Sequence, residues 1–189
     1  AEFVWCMLEE SMEVCRGINP NTEFIPFGYL KNMETLKVFN NKKKDIDFLM
    51  CGLPSERRKE LTDKISNSGH EVYYPEQPLP VYLRNALMER SKINLSLQKT
   101  QSHNLISVTR VCHSVINRIP VLLEYSGPPN FYSDLCITAE KGAVLEKANK
   151  SITLTDLRQF ADEKYRKLKS ELPMNEIMYN VLAKTVGKF

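Results

Sequence analysis

Short apolar runs alternate with helix-periodic stretches along most of this chain, and that alternation restricts the fold more than any other feature. "DIDFLMCG" (45–52) is nearly continuous in apolar residues, the pattern of a strand buried on both faces of a sheet. Ser55 then stands where it can cap a helix with Leu61 and Ile65 inward, and Gly69 ends it. "HEVYYP" reads as the next strand, and "VYLRNALMERSK" as a helix burying Leu83, Leu87 and Met88. "INLSLQ" follows as a strand. "SVTRVCHSVINR" is a helix with Val108, Val111, Val115 and Ile116 on one side, leading into the strand "IPVLLEYS". "DLCITA" is a further short strand and Ala143 to Ala148 a helical turn. Thr155 opens a charged helix with Leu157, Phe160, Ala161 and Leu168 inward, and a last helix after Pro173 carries Ile177, Met178, Val181 and Leu182. Strands and helices in this order, joined by short turns, predict a three-layer α/β domain, Rossmann-like, with a mainly parallel sheet.

At the N-terminus the spacing of Val4, Met7, Leu8, Met12 and Cys15 predicts a helix over 3–16, stopped by Gly17. "NTEFIPFGYL" adds a short strand, Phe24 to Pro26, and a turn at Gly28. The chain of 189 residues thus divides into a linker helix (1–18), a Rossmann-like core (19–150) and C-terminal helices (151–189) within one domain.

Bulk properties exclude several function classes. Lys plus Arg number 26 against 23 Asp plus Glu, a net charge of +3 that gives no argument for nucleic acid. The only basic run, Lys42-Lys43-Lys44, reads as a solvated loop. Five cysteines, at 6, 15, 51, 112 and 136, form no CxxC pair, the pattern of reduced thiols in a cytoplasmic protein. His70, His103 and His113 have no cysteine or carboxylate at zinc-site spacing, so no metal is expected. No apolar stretch reaches the roughly 20 residues of a membrane span, and the first residues lack the form of a signal peptide. Ala1 opens the chain without a methionine, which reads as a piece of something longer.

Three loops leave the carboxyl ends of strands, where open parallel sheets gather their ligands. In the first, Gly52 lets a ligand approach the backbone and the following helix offers free N–H groups. Arg57 and Arg58 stand in that helix's first turn, where the dipole disfavours cations unless an anion lies beside them. They serve either a phosphate or a wet helix face on which Glu56 and Glu60 neutralise them. In the second, Ser107 and Thr109 stand where they can cap a helix or donate to a phosphate, and Arg110 repeats the early cation. Its alternative is a surface arginine bonded to a neighbouring carboxylate. In the third, Glu124 ends a buried strand, placed either to accept from sugar hydroxyls or to cap a turn. His103 and His113 fit proton transfer or plain structural hydrogen bonding. Tyr73-Tyr74 and Phe131-Tyr132 fit packing or sugar stacking.

The order "INPNTEFIPFGYL", "KDIDFLMCGLPSERRKEL", "ERSKINLSL", "SVTRVCHSVINRIPVLLE" resembles the C-terminal, donor-binding half of GT-B glycosyltransferases, nearest the CgeB-like (spore-maturation type) group of the family 1-like proteins. The carriers are Gly52, Arg57-Arg58, Ser91 to Leu95, Thr109-Arg110 and Leu122-Leu123-Glu124, within about residues 19 to 150. The resemblance implies transfer of a sugar from a nucleotide-sugar donor to an acceptor. Gly52, Arg57, Arg58, Ser107, Thr109, Arg110 and Glu124 would be the donor-binding residues, with no metal. It further implies an N-terminal acceptor-binding domain as partner. Where the family pattern reads Glu-Ala-x-x-x-Gly-x-Pro-Val, this chain has His113 for the glutamate and Arg118 for the glycine. An imidazole cannot accept two hydroxyl protons as a carboxylate does. The alternative is therefore a catalytically inactive relative acting in protein association. A phosphate-binding α/β domain of another kind is a third reading.

Overall fold

The computed structural model describes residues 2–36, 43–150 and 154–187. Its first unit is a pair of parallel strands, β1 (Val4–Cys6) and β2 (Thr22–Phe24), joined by α1 (Met12–Ile18). A second, larger unit follows: β3 (Ile46–Leu49), α2 (Glu56–Asn67), β4 (Val72–Tyr73), α3 (Val81–Arg90), β5 (Ser91–Ser96), α4 (Val108–Ile116), β6 (Val121–Glu124), α5 (Phe131–Asp134), β7 (Ile137–Ala139) and α6 (Val144–Asn149). Two helices, α7 (Leu154–Glu171) and α8 (Met174–Thr185), complete the chain.

The five strands from β3 to β7 form one all-parallel sheet in the order β4-β3-β5-β6-β7, flanked by helices on both faces. Phe48 pairs with Ile93, Asn94 with Val121 and Leu122 with Ile137. The chain first steps from β3 outward to β4, then returns past β3 to β5 and continues to β7. Right-handed crossovers therefore put α2 on one face and α3 and α4 on the other. Phe48, Met50, Leu95 and Leu122 pack on Ile65 of α2 and on Val144 and Ala148 of α6. On the opposite face Val121 and Leu123 pack on Val111, Cys112 and Val115 of α4, with Leu168 of α7 behind them. Ile46 and Leu49 meet Leu87 and Met88 of α3. Each such buried aliphatic side chain contributes about 1.5–3 kcal/mol over its exposed state. Burial on two faces explains why "DIDFLMCG" and "IPVLLEYS" read as nearly continuous apolar runs.

Local structure departs from the sequence reading at both margins of the sheet. The helix expected over 3–16 is instead β1, a single 3-10 turn (Glu9–Ser11), and α1, which runs through Gly17 to Ile18. Pairing of Val4–Cys6 with Thr22–Phe24 overrides the helical spacing, and the strand expected at Phe24–Pro26 lies two residues earlier, in this separate sheet. The strand expected from "DLCITA" begins only at Ile137. Before it, Asn130 and Ser133 form a capping box that turns Phe131–Asp134 into helix. Of the basic run, Lys42 lies outside the described residues, and Lys44 is not in a solvated loop: its Nζ donates to Ser91 O at 3.0 Å, and burial pushes its pKa down to about 8.

The terminal helices are fastened through the segment after β2. Tyr29 N donates to Leu172 O at 2.7 Å and Met174 N to Tyr29 O at 2.9 Å. Gly28 passes against the Leu172 carbonyl with no room for a Cβ. Arg118 adopts a left-handed φ of +55°, a conformation in which glycine costs nothing. Its guanidinium lies 3.7 Å from the centre of the Tyr165 ring and its Nε 3.1 Å from Asp162 Oδ1, so contacts to α7 offset the strain. Among the described residues no helix is long and apolar enough to cross a membrane.

Candidate functional site

The strand order makes β3 and β5 the pair at which the chain reverses direction. The loop after β3 leads to α2 on one face and the loop after β5 to α4 on the other. Between them opens the crevice in which such sheets bind ligands, beyond the strands' carboxyl ends.

Ser55 caps α2 as its position suggests, its Oγ accepting from Arg58 N at 3.3 Å. Arg57, the second residue of α2, reaches across the end of β5 to Glu124 at the end of β6. Its Nη1 donates to Glu124 Oε2 at 2.8 Å and its Nη2 to Glu124 Oε1, a two-pronged ion pair. Arg57 also donates to Gln98 O (2.9 Å) and Gln101 Oε1 (3.0 Å), so Nε, Nη1 and Nη2 all have partners. Glu124 is fully buried, and Gln98 N adds a third donor to its carboxylate at 2.9 Å. The negative group beside Arg57 is thus this chain's own, and neither of the alternatives open in the sequence describes it. Glu56 and Glu60 are both exposed.

Arg58 is buried and donates three hydrogen bonds to backbone, two to Leu97 O (3.0 and 2.8 Å) and one to Leu53 O (2.8 Å). It therefore ties the loop after β3 to the end of β5. Gly52 lies between Arg58 and Arg110: an added Cβ would stand 3.0 Å from Arg110 Nη2, 3.1 Å from Met50 Cε and 3.3 Å from Arg58 Nη1. Close passage of two guanidinium groups, and not an unusual φ, requires the glycine. Burial first, then the neighbouring Arg58, pushes the Arg110 pKa down, and burial does the same to Arg58. Both start so far above neutrality that they stay charged.

Arg110 opens onto a cavity of about 380 Å³ between α3 and α4, whose walls include Ser107, Thr109, His113 and Ser114 from the α4 segment and Cys51 from the loop after β3. Ser107 precedes α4 without capping it through its side chain. Among the described residues no carboxylate lines this cavity. Burial pushes the Cys51 thiol up against the opposing pull of Arg84 and Arg110, and pushes the His113 imidazole down, with Arg84 adding to that shift.

The structure therefore sorts the seven residues singled out in the sequence. Ser107, Thr109 and Arg110 line the cavity, Arg57, Arg58 and Glu124 form a bonded framework, and Gly52 lies between Arg110 and Arg58. Of the aromatic pairs, Phe131-Tyr132 packs, its rings edge to face and Tyr132 buried with its OH donating to Phe27 O at 3.1 Å, whereas Tyr73 is exposed and Tyr74 OH donates to Leu53 O at 3.2 Å. Arg84, also on the cavity wall, escaped the sequence reading. It stands fourth in α3, so the signal that drew attention to Arg57 and Arg110, a cation in a helix's opening residues, also marks it. Comparison with family models and with curated proteins gives no match.

Proposed function

We propose that this chain is the donor-binding half of a nucleotide-sugar-dependent glycosyltransferase of the GT-B type. One observation carries the reading: Arg110, charged and without a carboxylate partner among the described residues, faces a cavity at the point where a parallel sheet reverses its strand order. The all-parallel sheet and the order of short motifs, from Gly52 to Glu124, support it. In the reaction the bond between the anomeric carbon and the donor's diphosphate breaks, its electron pair leaves with the diphosphate, and an acceptor oxygen forms the new glycosidic bond. Arg110 and the first-turn N–H groups of α4 would stabilise the departing charge. Arg57, Arg58 and Glu124 would position that site without touching the donor. Acceptor binding and removal of the acceptor's proton fall to a second domain.

The exposed side chains of Trp5, Met7, Val14 and Ile18, on or beside the small β1–β2 unit, favour a second reading: a non-catalytic relative that associates with other proteins through this end. Calorimetry with UDP-, GDP- and ADP-sugars at millimolar concentration separates the two. Donor binding that Arg110→Gln weakens at least tenfold supports the transferase. No heat with any donor, together with a mass that grows with concentration, supports the association module.

A further inference from the structure

The cavity carries a second cation that none of the strand-end loops supplies. Arg84 approaches from α3, opposite Arg110 on α4. Its Nε is buried with no hydrogen-bond partner, the one such side-chain atom among the described residues. Its Nη2 has only a long contact to Asn85 Oδ1, at 3.4 Å. A buried guanidinium nitrogen left without an acceptor is a standing cost to the fold unless something fills the role. His113 faces the same cavity and feels the Arg84 charge. The neighbouring Ser114 hydroxyl is already occupied, donating to Arg110 O at 3.0 Å and accepting from Asn94 Nδ2 at 2.9 Å. What remains open is therefore rich in donors. Guanidinium groups cannot accept hydrogen bonds, and the neutral His113 imidazole still offers one N–H donor.

A ligand group that fits this lining brings acceptors and negative charge and needs no acceptor from the protein. Phosphate and diphosphate meet both conditions, and the planar forks of two arginines suit their oxygens. A neutral sugar ring brings no charge to set against the two guanidinium groups.

We infer that Arg84, Arg110 and His113 form one oxyanion site between α3 and α4 that binds a diphosphate or a terminal phosphate. This deepens the donor reading by naming the group that enters the cavity, and it rests on that reading only for the diphosphate's being part of a nucleotide.

The test is calorimetric titration of the full chain with inorganic pyrophosphate and phosphate, beside the nucleotide sugars. Pyrophosphate is expected to bind, with affinity falling at least tenfold in Arg84→Gln and in Arg110→Gln, and unchanged in Arg166→Gln, which removes an exposed charge elsewhere. Equal affinity in all four proteins, or no binding at millimolar pyrophosphate, overturns the inference. Pyrophosphate binding that depends on both arginines, without binding of any nucleotide sugar, keeps the site and removes the donor reading. Nucleotide-sugar binding that ignores Arg84→Gln keeps the donor reading and removes the site. Should Arg84→Gln fail to fold, NMR on the unaltered chain decides. The His113 ring resonances are expected to move with pyrophosphate while those of His70, which lies beside Asp47, stay in place. Unmoved His113 resonances overturn the inference.

Discussion

Arg57 and Glu124, 67 residues apart in sequence, are joined by two hydrogen bonds across the carboxyl end of β5. The pair ties the first turn of α2 to the end of β6. Glu124 is wholly buried, so its charge depends on Arg57 and on Gln98 N. Removing one member of such a pair leaves an uncompensated interior charge. Arg57→Met is expected to cost about 3 kcal/mol in urea unfolding. Adding Glu124→Gln should restore part of that loss, making the double variant more stable than Arg57→Met alone. If the second change makes matters worse, Glu124 is held by something other than Arg57.

Gly52 is where the framework meets the cavity. In Gly52→Ala the new methyl group would press on Arg110 Nη2 and Met50 Cε. Overpacking of this kind costs about 1–3 kcal/mol where neighbours cannot yield. Arg110 borders the cavity and has room to move, so stability should fall by about 1 kcal/mol, while affinity for pyrophosphate falls at least tenfold. Thermal unfolding and calorimetry on the same variant separate the two effects. A large stability loss with unchanged affinity would show that Arg110 does not bind the anion.

Arg118 pays for a left-handed backbone with contacts to α7. A non-glycine residue in that conformation carries about 1–2 kcal/mol of strain. Arg118→Ala keeps the strain and loses Tyr165 and Asp162, whereas Arg118→Gly loses the same contacts and the strain with them. The glycine variant should therefore be the more stable of the two, by about 1 kcal/mol in chemical denaturation. The reverse order would mean that φ at this position is not strained in solution.

His113 gives the fold a dependence on pH. Burial, and behind it Arg84, hold its pKa below the ordinary 6.5. Between that value and the lower folded one, the unfolded chain binds a proton that the folded chain does not. The contribution of His113 to stability is thus complete above pH 6.5 and is lost as pH falls through this window. Urea midpoints measured from about pH 7.5 down to about pH 5, across the imidazole range, should fall, and His113→Gln should flatten that part of the slope. An unchanged slope would place His113 in a solvent-like setting.

Much of this architecture is legible in sequence because its signals are local. Ser55 capping α2, the apolar side of α4 and the nearly continuous apolar run around β3 each depend on neighbours within a few residues. What escaped is non-local or looks ordinary. Val4–Cys6 become a strand only by pairing with Thr22–Phe24, and the same residues carry a helical spacing that points elsewhere. Arg57 and Glu124 each look like a ligand-binding side chain, and nothing in the chain announces that they meet. Arg84 carries the same early-helix signal as Arg110, but nothing local shows that α4 packs opposite it.

If Arg84, Arg110 and His113 hold a phosphoryl group, its charge lies between α3 and α4. A difference map from crystals soaked in the nucleoside diphosphate that binds most tightly in solution tests it most directly. The account expects the diphosphate in the cavity, with its oxygens about 3 Å from Arg84 and Arg110. A diphosphate seated anywhere else, with both guanidinium groups left without it, contradicts the account.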